Sequence, residues 1–187
     1  MRKMLLMIIT AISLSAFTGE SKYADSYICD NGRAHFFAST PFENISPVSN
    51  TAVCVINTKT KKVIAKVRMA SFVFANGLMQ EHFNENYIES EKYPYATLDA
   101  EIVGSLDYTK DGTYDVTLKG TLDLHGVKKE REIKGKLVIK NGQPVSATAD
   151  FEVKLVDHSI KIPTAVIAKI AEVVKVDVAF NFKKYEK

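Results

Sequence analysis

The stretch GTYDVTLKGTLDLHG, residues 112–126, decides the fold because its polarity alternates strictly. From Tyr114 to Leu124 every even-numbered residue is apolar or glycine, and from Thr113 to Asp123 every odd-numbered residue is polar or charged. Successive side chains of a β-strand point to opposite faces, so this pattern predicts a strand with one wet face and one dry face. The dry face can meet a packed core, a lipid bilayer or a bound molecule.

The same alternation recurs along the chain and predicts about eight strands. The dipeptides Asp111-Gly112 and Asn141-Gly142 are typical of tight hairpin turns, because these residues tolerate positive φ. Consecutive hairpins make an antiparallel meander, and a meander with one dry face removes its exposed edges by closing into a barrel. The predicted fold class is therefore all-β, a single antiparallel barrel. Its longer predicted strands cover residues 62–69, 113–124, 133–140, 147–155 and 174–183, and its shorter ones cover 33–39, 52–57 and 97–103.

Two segments break the alternation and predict one or two short helices near the barrel mouth. In the range 76–94, Met79, Phe83 and Tyr87 lie four residues apart, as on one face of a helix. Residues 160–174 are apolar on nearly all sides, and a proline near their start can begin a second short helix. A barrel needs neither insertion to fold, so both are expected to cover one opening.

The composition of the two strand faces predicts that the apolar face points inward. The polar face carries many lysines and carboxylates, which argues against a membrane barrel, whose outer face is apolar. An eight-stranded barrel is either filled by its own side chains or holds one small ligand. Small residues at inward positions favour a cavity over a filled core. These residues are Ala34, Ala38, Gly120, Gly135, Ala147 and Ala149.

An apolar cavity favours a long apolar ligand over a small metabolite. Each buried methylene contributes about 0.8 kcal/mol. Association and ordering cost several kcal/mol, so only a long chain leaves a large surplus.

The first residues indicate export. Arg2 and Lys3 precede an apolar run, residues 4–17, which is typical of a secretory signal peptide. The run of about 14 residues is shorter than the roughly 20 that a membrane-spanning helix needs. We expect residues 1–21 to be the signal peptide and residues 22–187 to form one periplasmic or secreted domain, without stable membrane insertion after cleavage.

Cys29 and Cys54 are the only cysteines. An even count in an exported chain permits a disulfide, and two residues do not decide between a bridge and free thiols.

The remaining composition and motifs exclude several function classes. The net charge of +3, from 25 basic and 22 acidic residues, is too balanced to indicate nucleic-acid binding. The four histidines, at positions 35, 82, 125 and 158, do not have metal-ligand spacing, and no nucleophile or phosphate-binding motif is present. The sequence therefore predicts no catalytic residues, no metal and no cofactor.

Three blocks of the chain resemble the YceI-like family. They are LMQEHFNENYIESEKYPYATLDAEI (residues 78–102), GTLDLHGVKKEREI (120–133) and FEVKLVDHSIKIP (151–163), and their order is that of the family. The match covers nearly the whole mature chain and is most similar to Bacteroidetes-type members. The resemblance implies a lipocalin-like barrel in the periplasm that binds polyisoprenoids or other long-chain amphipathic lipids in an elongated pocket. It brings no catalytic residue set, and the family pattern does not require the cysteine pair.

The resemblance and the apolar pattern together predict a ligand site. We expect a long-chain isoprenoid, quinone-like or fatty-acyl lipid, held for sequestration or transport, with a homodimer as one expected assembly. Alternatives are an enzyme acting on such a lipid and a filled barrel that binds a partner protein. Each site residue can also serve packing alone, and His82 can simply hydrogen-bond at the helix surface. The predicted ligand-binding residues are Phe72, Phe74, Leu78, Met79, His82, Phe83, Tyr87, Leu118, Phe151, Ile160, Ile162, Val166, Ile167 and Ile170.

Overall fold

A computed structural model describes residues 25–39, 44–161 and 172–186. The predicted signal peptide lies outside these ranges, and so does the second predicted helix (160–174) except for residues 160–161 and 172–174, of which Val173 and Val174 belong to a strand. The strands are β1 (Ser26–Ser39), β2 (Asn44–Ile45), β3 (Val48–Asn57), β4 (Lys62–Arg68), β5 (Tyr95–Ile102), β6 (Gly112–Leu124), β7 (Val127–Lys140), β8 (Gln143–Lys154), β9 (Val173–Asn181) and β10 (Lys183–Lys184).

Eight long strands form a closed antiparallel barrel, which confirms the predicted fold class. They pair in the order β1-β3-β4-β5-β6-β7-β8-β9, and β9 pairs again with β1. The two-residue strands β2 and β10 both add to β1. Closure leaves no long strand with an unpaired edge.

The opening stretch forms the longest hairpin, in which β6 pairs with β7 from Gly112↔Ile139 to Leu124↔Val127. His125 and Gly126 make its two-residue turn with φ of 54° and 70°. Such a turn needs positive φ at both central positions, which glycine adopts without strain.

The two predicted turn dipeptides have different outcomes. Asn141 and Gly142 have φ of 51° and 75° and join β7 to β8, so that predicted hairpin is confirmed. The tight hairpin at Asp111-Gly112 is wrong, because residues 103–111 form a longer loop and Gly112 already begins β6. The Asp111 side chain instead accepts a hydrogen bond from the backbone N–H of Asn141, 2.7 Å away.

Strand β1 pairs with β3 along one edge and with β9 along the other, and it bends at Gly32. The register against β3 shifts on both sides of this residue, and β9 pairs with the following segment, Arg33 to Phe37. A β-carbon on Gly32 would lie 2.4 Å from the ring of Phe180. Glycine is therefore required here for the ring to pack against the bend.

The predicted helix in the range 76–94 is confirmed in its first part. Helix α1 (Gly77–His82) begins at Asn76, whose side chain accepts hydrogen bonds from the next backbone N–H groups, and it continues as a π-helix (Phe83–Tyr87). The helix ends there because Glu89 adopts a left-handed φ of 47°. Short 3-10 turns cover Met69–Ser71 and Leu155–His158. None of the helices in the described residues is long and apolar enough to cross a membrane.

The two faces of the strands separate as the alternation predicts. Inward residues such as Ile133, Leu137 and Ile139 of β7 are almost fully buried. On the outer face, neighbouring strands are joined by ion pairs, for example Lys136–Asp115 at 2.8 Å. Exposed pairs of this kind add little stability, so burial inside the barrel carries the fold.

Cys29 and Cys54 are direct cross-strand partners of β1 and β3, and both thiols are buried and free. Burial, and secondarily the neighbouring Cys29, raises the pKa of Cys54 to about 12. A thiol with so high a pKa is a poor nucleophile at neutral pH. The sequence left a disulfide between these residues as one of two alternatives, beside free thiols.

Two glycine substitutions test the strand packing. At Gly120 of β6, an alanine β-carbon would lie 2.1 Å from the carbonyl oxygen of Asp99 in β5, whereas at Gly77 nothing lies within 4 Å. Gly120→Ala is therefore expected to lower the free energy of unfolding by about 2 kcal/mol or more, because the strands must separate. Gly77→Ala is expected to be neutral or to stabilise by up to about 1 kcal/mol. Urea unfolding of both variants measures the difference, and equal midpoints would contradict the close approach of β5 and β6.

Candidate functional site

The barrel encloses a cavity of about 220 Å³ that runs along its axis. Its lining extends from Met69 and Leu155 at the helical end to Ile102 and Phe182 at the other end. All eight long strands contribute inward residues, among them Ala34, Ala52, Val67, Leu98, Leu118, Leu137, Phe151 and Val176.

The lining is apolar because the polar residues at its border point outward. The Nζ atom of Lys136 lies 2.8 Å from Asp115 on the outer face, and that of Lys66 lies 3.7 Å from the ring centre of Tyr95. Such a cavity offers a hydrocarbon an environment without desolvated polar groups, and it offers a polar molecule few partners.

The barrel interior is hollow rather than filled. Inward residues in the middle of β6, β8 and β9 are only partly buried, and their free surface faces the cavity. These residues include Val116, Leu118, Phe151, Val176 and Val178.

Four of the six small residues predicted at inward positions line the cavity. Gly135, Ala147, Ala149 and Ala34 line it, as the sequence predicted. Gly120 and Ala38 are not among the described residues that line the cavity. At Gly120 the backbone of β5 occupies the space where a side chain would stand.

An aromatic cluster covers the cavity at the helical end. It consists of Phe36 of β1, Phe72 and Phe74 of the segment after the first 3-10 turn, and Phe83 of the π-helix. The Phe83 ring centre lies 5.5 Å from that of Phe36, 6.2 Å from that of Phe72 and 4.9 Å from that of Phe74. Since Phe83 contacts all three other rings, it attaches the helical segment to the barrel.

The structure describes ten of the predicted ligand-binding residues, and five of these ten line the cavity. Phe72, Phe83, Leu118, Phe151 and Ile160 line it. The use of these residues in ligand binding stays a prediction.

The other predicted residues lie elsewhere. Phe74 and Tyr87 pack against the core behind the lining, and burial raises the pKa of Tyr87. Met79 is half-buried, His82 is exposed, and Leu78 is 59% exposed on the outer side of α1. Four predicted residues lie outside the described residues: Ile162, Val166, Ile167 and Ile170.

Most of the lining consists of strand residues that the sequence analysis assigned only to the core. Val176, Val178 and Leu98 are examples. Their signal in the sequence is the period-two alternation itself. That pattern shows that a side chain points inward. It does not distinguish a side chain that packs against another one from a side chain that faces a cavity.

A polar corner joins the helical segment to the β6–β7 turn at the same end of the barrel. The His125 ring nitrogens lie 3.1 Å from the carbonyl oxygen of His158 and 3.0 Å from Glu89 Oε2. Nδ1 of the fully buried His158 donates to the carbonyl of Val127 at 3.0 Å, and the ring centre of Tyr93 lies 4.3 Å from that of His125 with the two ring planes tilted. These histidines hold turns together, and the described residues contain no cluster of three or more His, Cys, Asp or Glu that could hold a metal.

A closed antiparallel barrel around an apolar cavity is the architecture of proteins that bind small apolar ligands. The sequence profile of the YceI-like domain matches residues 32–182, and the chain belongs to this family. Among curated proteins, none matches the chain.

Solved structures show the same fold at low sequence identity. A polyisoprenoid binding domain from Saccharophagus degradans, implicated in plant cell wall breakdown, is similar with a TM-score of 0.70 and 15% identity, over 87% of this chain and 99% of that one. BcnA of Burkholderia cenocepacia has a TM-score of 0.62 and 12% identity, over 79% and 94% of the two chains. The Campylobacter jejuni YceI protein has a TM-score of 0.56 and 17% identity, over 73% and 81%.

The aromatic cluster can be tested by truncating one ring. Phe83→Ala removes the ring by which the helical segment contacts the other three, so we expect the free energy of unfolding to fall by about 2–3 kcal/mol. Leu78→Ala on the same helix is the matched control, and because Leu78 is exposed its effect should stay within about 0.5 kcal/mol. Urea denaturation measures both, and a Phe83 variant as stable as the control would show that the helical segment is not attached through this ring.

Proposed function

We propose that this protein binds one long-chain amphipathic lipid, a polyisoprenoid, a quinone-like molecule or a fatty-acyl chain, for sequestration or transport. The observation that carries the proposal is the apolar cavity of about 220 Å³ along the barrel axis. The polyisoprenoid binding of the Saccharophagus degradans domain, which has the same fold, supports the ligand class.

The tail of the lipid lies in the cavity and its head lies at the helical end. An engineered cavity of about 150 Å³ holds benzene, so the present volume holds only part of a long chain. The rest must pass the aromatic cluster, where Phe36, Phe72 and Phe83 line the cavity and can change rotamer.

Polar groups for the head lie at the same end of the barrel. His82 is exposed on α1, and Lys92 lies close to the start of β5. A hydrogen bond with Tyr93, and secondarily the charge of Glu89, raises the pKa of Lys92, which keeps it cationic at neutral pH. A cation in this position suits a carboxylate or phosphate head.

The same lining supports binding rather than catalysis inside the barrel. General acid–base chemistry needs a titratable side chain within hydrogen-bond reach of the reacting group. The described inward side chains that line the cavity are hydrocarbon apart from the Met69 thioether, which does not titrate, and the Cys54 thiol, whose pKa of about 12 keeps it protonated.

The place of action that we propose is the periplasm or the exterior of the cell. Its support is the sequence of residues 1–21, which has the features of a secretory signal peptide. Size-exclusion chromatography with light scattering distinguishes a monomer from the homodimer expected above.

The first experiment identifies a lipid that copurifies with the chain. After expression with its own signal peptide, the intact protein is examined by native mass spectrometry and its organic extract by lipid mass spectrometry. We expect one lipid per chain. A protein that emerges free of lipid and takes up neither isoprenoids nor fatty acids would refute the proposal.

A cavity-filling pair localises the lipid. Ala147→Phe places a ring in the cavity, whereas Ser146→Phe places the same ring on the outer face of β8. We expect the first variant to lose lipid retention at least about 10-fold, since it occupies the space of the tail, and the second to retain it. Native mass spectrometry and thermal unfolding of both variants separate lost binding from lost folding. Equal retention in the two folded variants would place the lipid outside the cavity.

A series of saturated fatty acids measures how much chain the cavity holds. For each added methylene that is buried, the dissociation constant should fall about four-fold, which corresponds to about 0.8 kcal/mol. The gain should end once the cavity is full and further methylenes remain in water. Displacement of a fluorescent fatty acid gives the constants, and affinity independent of chain length would contradict burial of the tail.

A further inference from the structure

A second site of distinct chemistry lies on the outer face of the barrel, where β1 and β9 close it. His35 of β1 and Asp177 of β9 are direct register partners, and Ser46 lies just after β2. The pattern of alternation turns these side chains outward, since Phe36 and Val176 beside them line the cavity. The site is therefore separate from the proposed lipid cavity and does not depend on it.

The three side chains form a continuous hydrogen-bonded chain. Nδ1 of His35 donates to Oδ1 of Asp177, and the guanidinium of Arg33 pairs with Oδ2 of the same carboxylate. Nε2 of His35 lies 2.6 Å from the hydroxyl oxygen of Ser46. A carboxylate only accepts hydrogen bonds, so the proton of a neutral imidazole lies on Nδ1 and the lone pair of Nε2 faces Ser46.

The Asp177 carboxylate keeps its charge. Burial would raise its pKa, but hydrogen bonds from His35 and Arg33 outweigh burial, and the pKa of Asp177 lies below its usual range. A charged carboxylate fixes the ring orientation and stabilises an imidazolium when one forms.

The hydroxyl is accessible, and the base beside it is largely shielded. Ser46 is exposed, whereas 15% of the His35 side chain is accessible. A shallow groove beside Asp177 is lined by Phe37, Lys175 and the carboxylates Asp150 and Glu152.

We propose that Ser46 is an activated nucleophile that reacts with carboxylic esters, with His35 as its general base and Asp177 as the positioning residue. This arrangement is the general signature of covalent catalysis, a nucleophile and a base within hydrogen-bond reach and a third group orienting the base. It recurs on unrelated folds and is recognised by geometry.

Each step of the reaction balances. Ser46 Oγ attacks the ester carbonyl carbon while His35 Nε2 takes the hydroxyl proton. The tetrahedral adduct expels the alcohol, which receives that proton from His35, and the acyl group remains on Ser46. Water, deprotonated by the same nitrogen, then releases the carboxylic acid and restores the serine.

The residue after Ser46 sets the expected rate. In many serine hydrolases the backbone N–H of the residue after the nucleophile stabilises the oxyanion, and here that residue is Pro47, which has no N–H. Loss of one such donor costs about 100- to 1000-fold in rate. Acylation and deacylation both pass through a tetrahedral oxyanion, so we expect both steps to be slow.

Labelling with a fluorophosphonate tests the nucleophile on the full-length protein. The serine oxygen bonds to phosphorus, fluoride leaves, and the proton passes through His35. We expect one adduct per chain, located at Ser46 by peptide mass spectrometry and absent from Ser46→Ala. Ser39→Ala is the matched control, because Ser39 is also exposed but its hydroxyl donates to the Asn44 side chain at 2.9 Å rather than to a histidine.

The roles of the other two residues are read from the labelling rate. His35→Gln should slow labelling by about 100-fold or more, the usual contribution of a general base. Asp177→Asn should slow it as well, and Asp177→Glu should restore part of the rate because the carboxylate returns. Release of nitrophenol from p-nitrophenyl acetate checks the acyl step independently.

Thermal unfolding of each variant separates chemistry from stability. An adduct on Ser46 whose formation rate is unchanged in folded His35→Gln would overturn the proposal. So would the absence of any adduct on Ser46 in the folded wild-type protein. In either case the three residues serve only to join β1, β2 and β9.

Discussion

The pairing of β1 with β9 is the contact on which the rest of the structure depends. Without it the sheet would have two long open edges, and the apolar face of every strand would stand against water. The closing contact extends over the Arg33–Phe37 segment, and nearer the start of β1 only Tyr27 and Ile28 pair on the same edge, with β10. The bend at Gly32 lies between these two segments, and the Phe180 ring fills the space that any side chain at that position would need.

Closure also explains how one set of strands can surround a cavity at a limited cost in stability. Large side chains on β7, among them Ile133 and Leu137, are almost fully buried, while β8 places the small Ala147 opposite Leu137 and Ala149 opposite Gly135. The loss of packing is thus confined to part of the wall. Each cavity-lining residue retains neighbours on its own strand and on the two adjacent strands, so the hollow costs less than an equal volume removed from a filled core.

The sequence was sufficient for the fold because alternation is a local property. The alternation from Tyr114 to Leu124 shows which side chains share a face, and it does so without knowledge of the neighbouring strands. Eight segments of this kind leave few topologies other than a barrel. The division between cavity and packing was not predictable in the same way. Gly120 and Gly135 both stand at inward positions, and a β-carbon on either would meet the backbone of a neighbouring strand, yet only Gly135 lines the cavity. The alternation is the same at the two positions, so the difference between them arises from tertiary packing.

The outer site shows why sequence motifs also miss chemistry. His35 and Asp177 are 142 positions apart, and they become neighbours only when the first and last long strands pair. No spacing rule can detect such a pair before the topology is known. The period of two then gives the closing strands a double role, because Phe36 and Val176 face the cavity while His35 and Asp177 face water. A substitution that alters chemistry on the outer face leaves the cavity wall unchanged, since neighbouring side chains of one strand never share a face. Binding inside the barrel and reactivity outside it can therefore vary independently on the same two strands.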